Sequence, residues 1–161
     1  MGSPAAWLRE RGFDPEGDLT KAIPSKRDKY EISTAMYAAA REGELGVCRF
    51  IWERGVRETI RTNNNYGWTP IMAACYQGHL GVAQWLFEVG GAADIRTKDI
   101  EGFTPMFAAC FQGHLLVAQW LFEVWAAADI RTKDNDGYTP MHTACGSKVK
   151  KRSPPRGPVA L

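Results

Sequence analysis

The chain has no apolar run near the roughly 20 residues that cross a bilayer, so no membrane span is indicated. It has no CxxC pair and no Cys/His cluster at zinc-finger spacing, which excludes the common zinc modules and predicts no metal. Its four cysteines, Cys48, Cys75, Cys110 and Cys145, read instead as free thiols buried in a reducing compartment. The opening MGSPAAWLRERG is charged within ten residues and lacks the apolar stretch of a secretory leader. Ala6 occupies the place where an N-myristoylation motif carries Ser or Thr. An intracellular protein, cytoplasmic or nuclear, is expected. A large charge of one sign is also missing, since 20 basic residues face 18 acidic ones. Five of the basic residues fall in 148–161, which has no acid, so residues 1–147 carry 15 basic and 18 acidic groups, a balance of −3. The body therefore has no general electrostatic attraction for nucleic acid.

What the sequence does contain is repetition. The octet VAQWLFEV stands at 82–89 and again at 117–124. Thr69-Pro70, Thr104-Pro105 and Thr139-Pro140 recur every 35 residues, and Thr34-Ala35 lies one step earlier. Gly67, Gly102 and Gly137 keep this period, as do Gly43, Gly78 and Gly113. Between 69–103 and 104–138, 26 of 35 positions are identical. In each unit the threonine suits a helix N-cap and the proline suits the first helical position. A short helix such as MFAACFQ follows, with Ala108 and Ala109 small enough for close approach of a neighbour. The glycine after it permits the left-handed conformation that ends a helix. HLLVAQWLFEV is a second helix by its apolar spacing, and DIRTKDNDGYTP reads as an extended polar turn. One such unit is too small to close a core, so neighbours must cover its apolar face.

GWTPIMAACYQGHLGVAQWLFEVG and GYTPMHTAC resemble ankyrin repeats, whose signature is T-P-L-H-x-A at a period of 33. Here the signature becomes Thr69-Pro-Ile-Met-Ala-Ala74, Thr104-Pro-Met-Phe-Ala-Ala109 and Thr139-Pro-Met-His-Thr-Ala144, with the histidine kept only as His142. The two extra residues fall after the second helix, around GGAAD and WAAAD. The resemblance covers 34–145 and implies an all-α fold, a short helical-repeat solenoid with units 34–68, 69–103 and 104–138 and a partial unit 139–145. A tetratricopeptide array is the nearest rival, but the Thr-Pro starts and long polar turns argue against it.

The ends are irregular. Ala5-Ala6-Trp7-Leu8-Arg9-Glu10-Arg11-Gly12 matches the second helix but with charged outward positions, as a terminal cap requires. Residues 1–33 are therefore read as a half-repeat cap helix plus an irregular lead-in. After TPMHTAC the chain turns basic and Pro-rich, and 146–161 is read as a disordered basic tail. Lys148, Lys150, Lys151 and Arg152 there suit a nuclear address or weak nucleic-acid contact, against the plainer reading of a solubilising tail. Gly90 suits a left-handed helix end, whereas Trp125 at the equivalent place does not; its ring is expected to cover apolar surface beside the unfinished unit.

The resemblance implies a non-catalytic module, without cofactor, that binds a protein partner on its concave side and turn tips. Carried over position by position, the candidates are Trp68, Phe103 and Tyr138 after the turn glycines, and Tyr76-Gln77 and Phe111-Gln112 before the helix-ending glycines. Ser33, Arg41 and Glu42 hold these places in the first unit and are polar. The aromatics either anchor a partner or stack between units. Lys98, Ile100, Glu101, Lys133, Asn135 and Asp136 at the turn tips either tune specificity or are solvated. His79 and His114 recur without a nucleophile or carboxylate set against them, which favours a structural role. A monomer is expected, with the incomplete C-terminal end as the route for self-association. A piece of a longer array is the alternative.

Overall fold

A computed structural model describes residues 2–28, 30–125 and 129–144 of the chain. Among the described residues eight α-helices follow one another: α1 (Pro4–Glu10), α2 (Ala35–Glu42), α3 (Leu45–Glu53), α4 (Pro70–Gln77), α5 (Leu80–Glu88), α6 (Pro105–Gln112), α7 (Leu115–Trp125) and α8 (Pro140–Ala144). They form two layers. The first helices of the units, α2, α4, α6 and α8, stack in sequence order. Each of α2, α4 and α6 also packs against the second helix of its own unit, α3, α5 or α7. The fold is thus the helical repeat solenoid that the periodicity predicts.

Local chemistry sets these elements as the sequence suggests. The Thr34, Thr69 and Thr104 hydroxyls accept the backbone N–H of Tyr37, Met72 and Phe107 at 3.3, 3.3 and 3.2 Å. Each cap satisfies one of the donors that a helix start leaves open. Gly43, Gly78 and Gly113 close the first helices at φ 77°, 79° and 77°. The main core lies between the layers. Met36, Ile51, Ile71 and Leu86 are fully buried in it, with Val117 and Leu121 nearly so. The small Ala39, Ala74 and Ala109 let adjacent first helices approach.

Two expectations are corrected. The lead-in 13–33 is not wholly irregular, because β1 (Ile23–Pro24) and β2 (Ile32–Ser33) pair antiparallel, Ile23 with Ser33 and Pro24 with Ile32. The break after the octet is also different from the one expected. Val89, at φ −83°, caps α5, and Gly90 stands beyond it at φ 135° rather than in the left-handed helix conformation. In the third unit α7 runs on through Trp125, so that residue needs no positive φ. The helix is 11 residues long against 9 in α5, because no glycine interrupts it. The Trp125 ring lies outside the described residues, as do Cys145 and the tail with Lys148, Lys150, Lys151 and Arg152.

Helix α1 packs on α3 through buried Trp7 and Leu8, while Arg9 and Glu10 face out. Among the described residues no helix is long and apolar enough to cross a membrane.

Candidate protein-binding surface

The turn tips repeat one hydrogen-bond design. The Asn64 side-chain oxygen accepts from the backbone N–H of Tyr66 and Trp68 at 3.0 and 2.9 Å. Asp99 does the same for Glu101 and Phe103 at 2.9 and 2.8 Å, and Asp134 for Asp136 and Tyr138 at 3.0 and 2.8 Å. Neighbouring tips are tied sideways. Asn135 donates its backbone N–H to the Glu101 carbonyl at 2.9 Å and its amide to the Ile100 carbonyl at 2.9 Å. Asn65 binds the Ile32 and Tyr30 carbonyls in the same manner. These bonds hold the tips at a fixed spacing beside the first helices, which makes the surface preorganised.

The predicted aromatics divide into two groups. Trp68 and Tyr76 are each only 8% exposed, with rings edge-on at 4.9 Å. They belong to a second apolar cluster with Tyr37, Tyr66, Met72 and Ala108. The Trp68 indole N–H donates to the Asp99 carboxylate of the next tip at 2.7 Å. Of the two readings of the aromatics, stacking between units describes these two positions. Their rings stack between units because the next unit lies over them. Phe103 and Phe111 remain half-buried, and Tyr138 is 38% exposed. The Phe103 ring stacks on Phe107 at 4.3 Å and lies 6.4 Å from Phe111. Gln77 and Gln112 are exposed beside them, as are Lys98, Lys133 and Asp136 at the tips, while Glu101 is half-buried. Lys98 donates to the Lys133 carbonyl at 3.2 Å, which links two of the predicted tip residues.

Phe107, under this surface, is absent from the candidates read from the motif. Its signal was the signature itself. The histidine position is Tyr37, Met72 and Phe107 in the first three units, and His142 alone keeps it. The first three are 3% exposed or less. They turn a polar motif position into floor for the aromatic strip. His142 instead accepts the Thr139 backbone N–H on Nδ1 at 3.0 Å.

The N-terminal end is polar, as predicted, and its charges are spent within the fold. Arg41 pairs with buried Glu31, which also accepts the Asn64 amide at 3.1 Å. Arg11 holds Glu42 through Nε at 3.1 and 3.0 Å, and Arg27 stands 3.7 Å from the same carboxylate. That hydrogen bond to Glu42 raises the Arg11 pKa. Ser33 is buried. Farther along, Arg61 grips Asp94 of the next unit at 3.2 and 3.3 Å. Burial raises the Asp94 and Asp99 carboxyls above their ordinary range, against the hydrogen bonds each accepts.

Burial pushes the Cys48 thiol up to about 12 and Cys75 higher still, so both stay protonated and poorly nucleophilic. His79 and His114 lie against Gly43 and Gly78, where an added Cβ would come within 2.6 and 2.5 Å of their Nδ1 atoms. Their rings fill the space between successive helix ends. No group of three or more His, Cys, Asp or Glu among the described residues is placed to hold a metal ion.

Comparison with known proteins agrees with this architecture. A family model described as ankyrin repeats, in three copies, matches residues 15–99 and 89–151. No curated protein matches the chain.

Proposed function

Because the chain belongs to the ankyrin-repeat family, we propose that it is a non-catalytic adaptor that binds a protein partner along its first helices and turn tips. Ankyrin repeats are generally protein–protein interaction modules. The observation that carries the reading is the half-open aromatic strip of Phe103 and Phe111, continued by exposed Tyr138 and floored by Phe107. Rigid aromatic side chains bury much area on binding and lose little rotamer freedom. Gln77 and Gln112 supply hydrogen bonds beside the strip, and Lys98, Glu101, Lys133 and Asp136 supply selectivity at its edge. Trp68 and Tyr76 contribute as the wall that fixes the strip rather than as anchors.

The decisive comparison is affinity capture with the full chain and with the Phe103→Ala/Tyr138→Ala variant. Anchors of this kind cost on the order of 1–2 kcal/mol or more each when truncated, so the variant loses the captured partner while its circular dichroism is unchanged. Equal capture by a folded variant rules out this surface.

A further inference from the structure

The stack of first helices has one flank that no first helix occupies. α4 lies against α2, and α6 against α4, but the far side of α2 meets the end of α1 and the lead-in strands. They fill that flank incompletely. A cavity of about 250 Å³ remains between Ala38 and Glu42 of α2, Arg11 at the end of α1, and residues 23–27. Ala38 is half-buried, whereas its repeat equivalents Ala73 and Ala108 are buried, each on a helix with a preceding first helix beside it. Phe13 and Ile23 give the cavity apolar walls. Ser33 also lines it and is only 3% exposed, yet its hydroxyl has no hydrogen-bond partner among the described residues. Buried hydroxyls are normally hydrogen-bonded, so this one is available to whatever enters the cavity. The lining carries three cations, Arg11, Lys26 and Arg27, against two acids, Glu10 and Glu42. Both acids are already matched. Glu42 accepts from Arg11 Nε at 3.1 and 3.0 Å and stands 3.7 Å from Arg27, and Glu10 pairs with Arg11 at 3.4 Å. The Arg27 side chain is 67% exposed, and Lys26 donates to the Glu10 carbonyl but has no carboxylate partner among the described residues.

We propose that this cavity binds an apolar carboxylate the size of a single amino-acid residue. Its apolar body lies against Phe13, Ile23 and Ala38, its carboxylate meets Lys26 and Arg27, and Ser33 donates a hydrogen bond to it. The volume lies below the roughly 300–1,000 Å³ of pockets for drug-sized ligands, which limits the occupant to a small molecule or one residue of a chain. A cationic ligand is disfavoured, because it must compete with guanidinium groups for Glu42. An uncharged apolar ligand leaves the Ser33 hydroxyl without a partner. An anion uses the surplus positive charge and displaces nothing. A free carboxylic acid and the carboxyl-terminal residue of another chain present the same chemistry. The site is formed before the first unit, away from the strip of Phe103, Phe111 and Tyr138, so it stands independently of the partner surface.

The test is an NMR titration of the backbone amides of the full chain with isocaproate, its uncharged analogue isocaproamide, and N-acetyl-leucine. Isocaproate is expected to shift the amides of Ser33, Ala38 and Glu42 saturably at millimolar concentration or below. Isocaproamide binds at least about tenfold more weakly, because it forms no charge-assisted hydrogen bond. The Lys26→Gln/Arg27→Gln variant weakens isocaproate by a similar factor and leaves isocaproamide as it was. Both of its positions are exposed, so the variant folds as the parent does. Ala38→Leu fills the cavity from its floor and removes the binding of both compounds, with circular dichroism as the check on folding. Binding of N-acetyl-leucine assigns the site to chain termini, and its exclusion assigns it to free acids. No saturable shift with either acid, shifts spread away from the cavity, or equal affinity for isocaproate and isocaproamide each overturn the proposal. So does a Lys26→Gln/Arg27→Gln variant that binds isocaproate as tightly as the parent. The Phe103→Ala/Tyr138→Ala variant leaves isocaproate binding unchanged, which separates this cavity from the proposed partner surface.

Discussion

Asp99 shows how one atom type decides a unit boundary. Asn64 and Asp99 occupy equivalent tip positions and accept the same pair of backbone N–H groups. Their second side-chain atoms face different neighbours. The Asn64 amide donates to Glu31, whereas the second Asp99 oxygen accepts from the Trp68 indole. Asp99→Asn therefore keeps the turn but sets a donor against a donor. The expected cost is about 1–3 kcal/mol, read by urea unfolding, since a buried indole N–H loses its acceptor. The substitution also changes the pH profile. The Asp99 carboxyl titrates above its ordinary 3.8 because burial disfavours the charge. In the window between 3.8 and the raised native value, the native state holds a proton that the unfolded chain has released. Stability from this group therefore falls as pH rises through that window. Asp94 acts in the same direction. Asp99→Asn removes one of the two contributions, so its unfolding free energy declines less steeply with pH there than the parent's. An equal decline in both proteins refutes this account of Asp99.

At the scale of the element, the helix-ending glycines look equivalent in sequence and are not equivalent in structure. Gly43, Gly78 and Gly113 share the same left-handed conformation. An alanine Cβ at 43 or 78 would strike His79 or His114, while at 113 it meets no described atom within 4 Å. Gly113→Ala thus pays for backbone conformation alone, about 1 kcal/mol. Gly43→Ala and Gly78→Ala are expected to lower the thermal midpoint further. Adding His79→Ala to Gly43→Ala removes the clash and brings the cost of the glycine change back toward that of Gly113→Ala. A uniform cost at all three positions means that the histidine packing is irrelevant. The same elements show what was legible. The Thr caps, the glycine stops and the alanine contacts follow from short-range chemistry, so the sequence pattern located them. The extension of α7 through Trp125 was not read. Favourable continuation of the helix outweighed the expectation of a break inherited from Gly90.

For the whole molecule, burial runs unevenly along the stack. In α4 Ile71, Met72, Ala74 and Cys75 are fully buried, because α2 and α6 flank the helix on both sides. In α8 Pro140 is the one buried residue, and Met141 and His142 are exposed. Nearest-neighbour packing is the main source of stability in such an array. Amide hydrogen exchange is therefore expected to be slowest in α4 and to quicken through α6 to α8. Better protection of 104–138 than of 69–103 would contradict this gradient.

The 35-residue period, the threonine starts and glycine stops of the first helices, and the split between aromatic and polar units were determined by the sequence, because each depends on the chemistry of residues near one another in the chain. Tertiary structure alone decided which aromatics stay available. Trp68, Phe103 and Tyr138 hold one place in the repeat, yet the first is buried, the second half-buried and the third exposed. Their exposure depends on what the following unit lays over them, and the sequence of a single unit holds no record of its neighbour's position. The same reason separates Phe87, covered by Trp120, from Phe122.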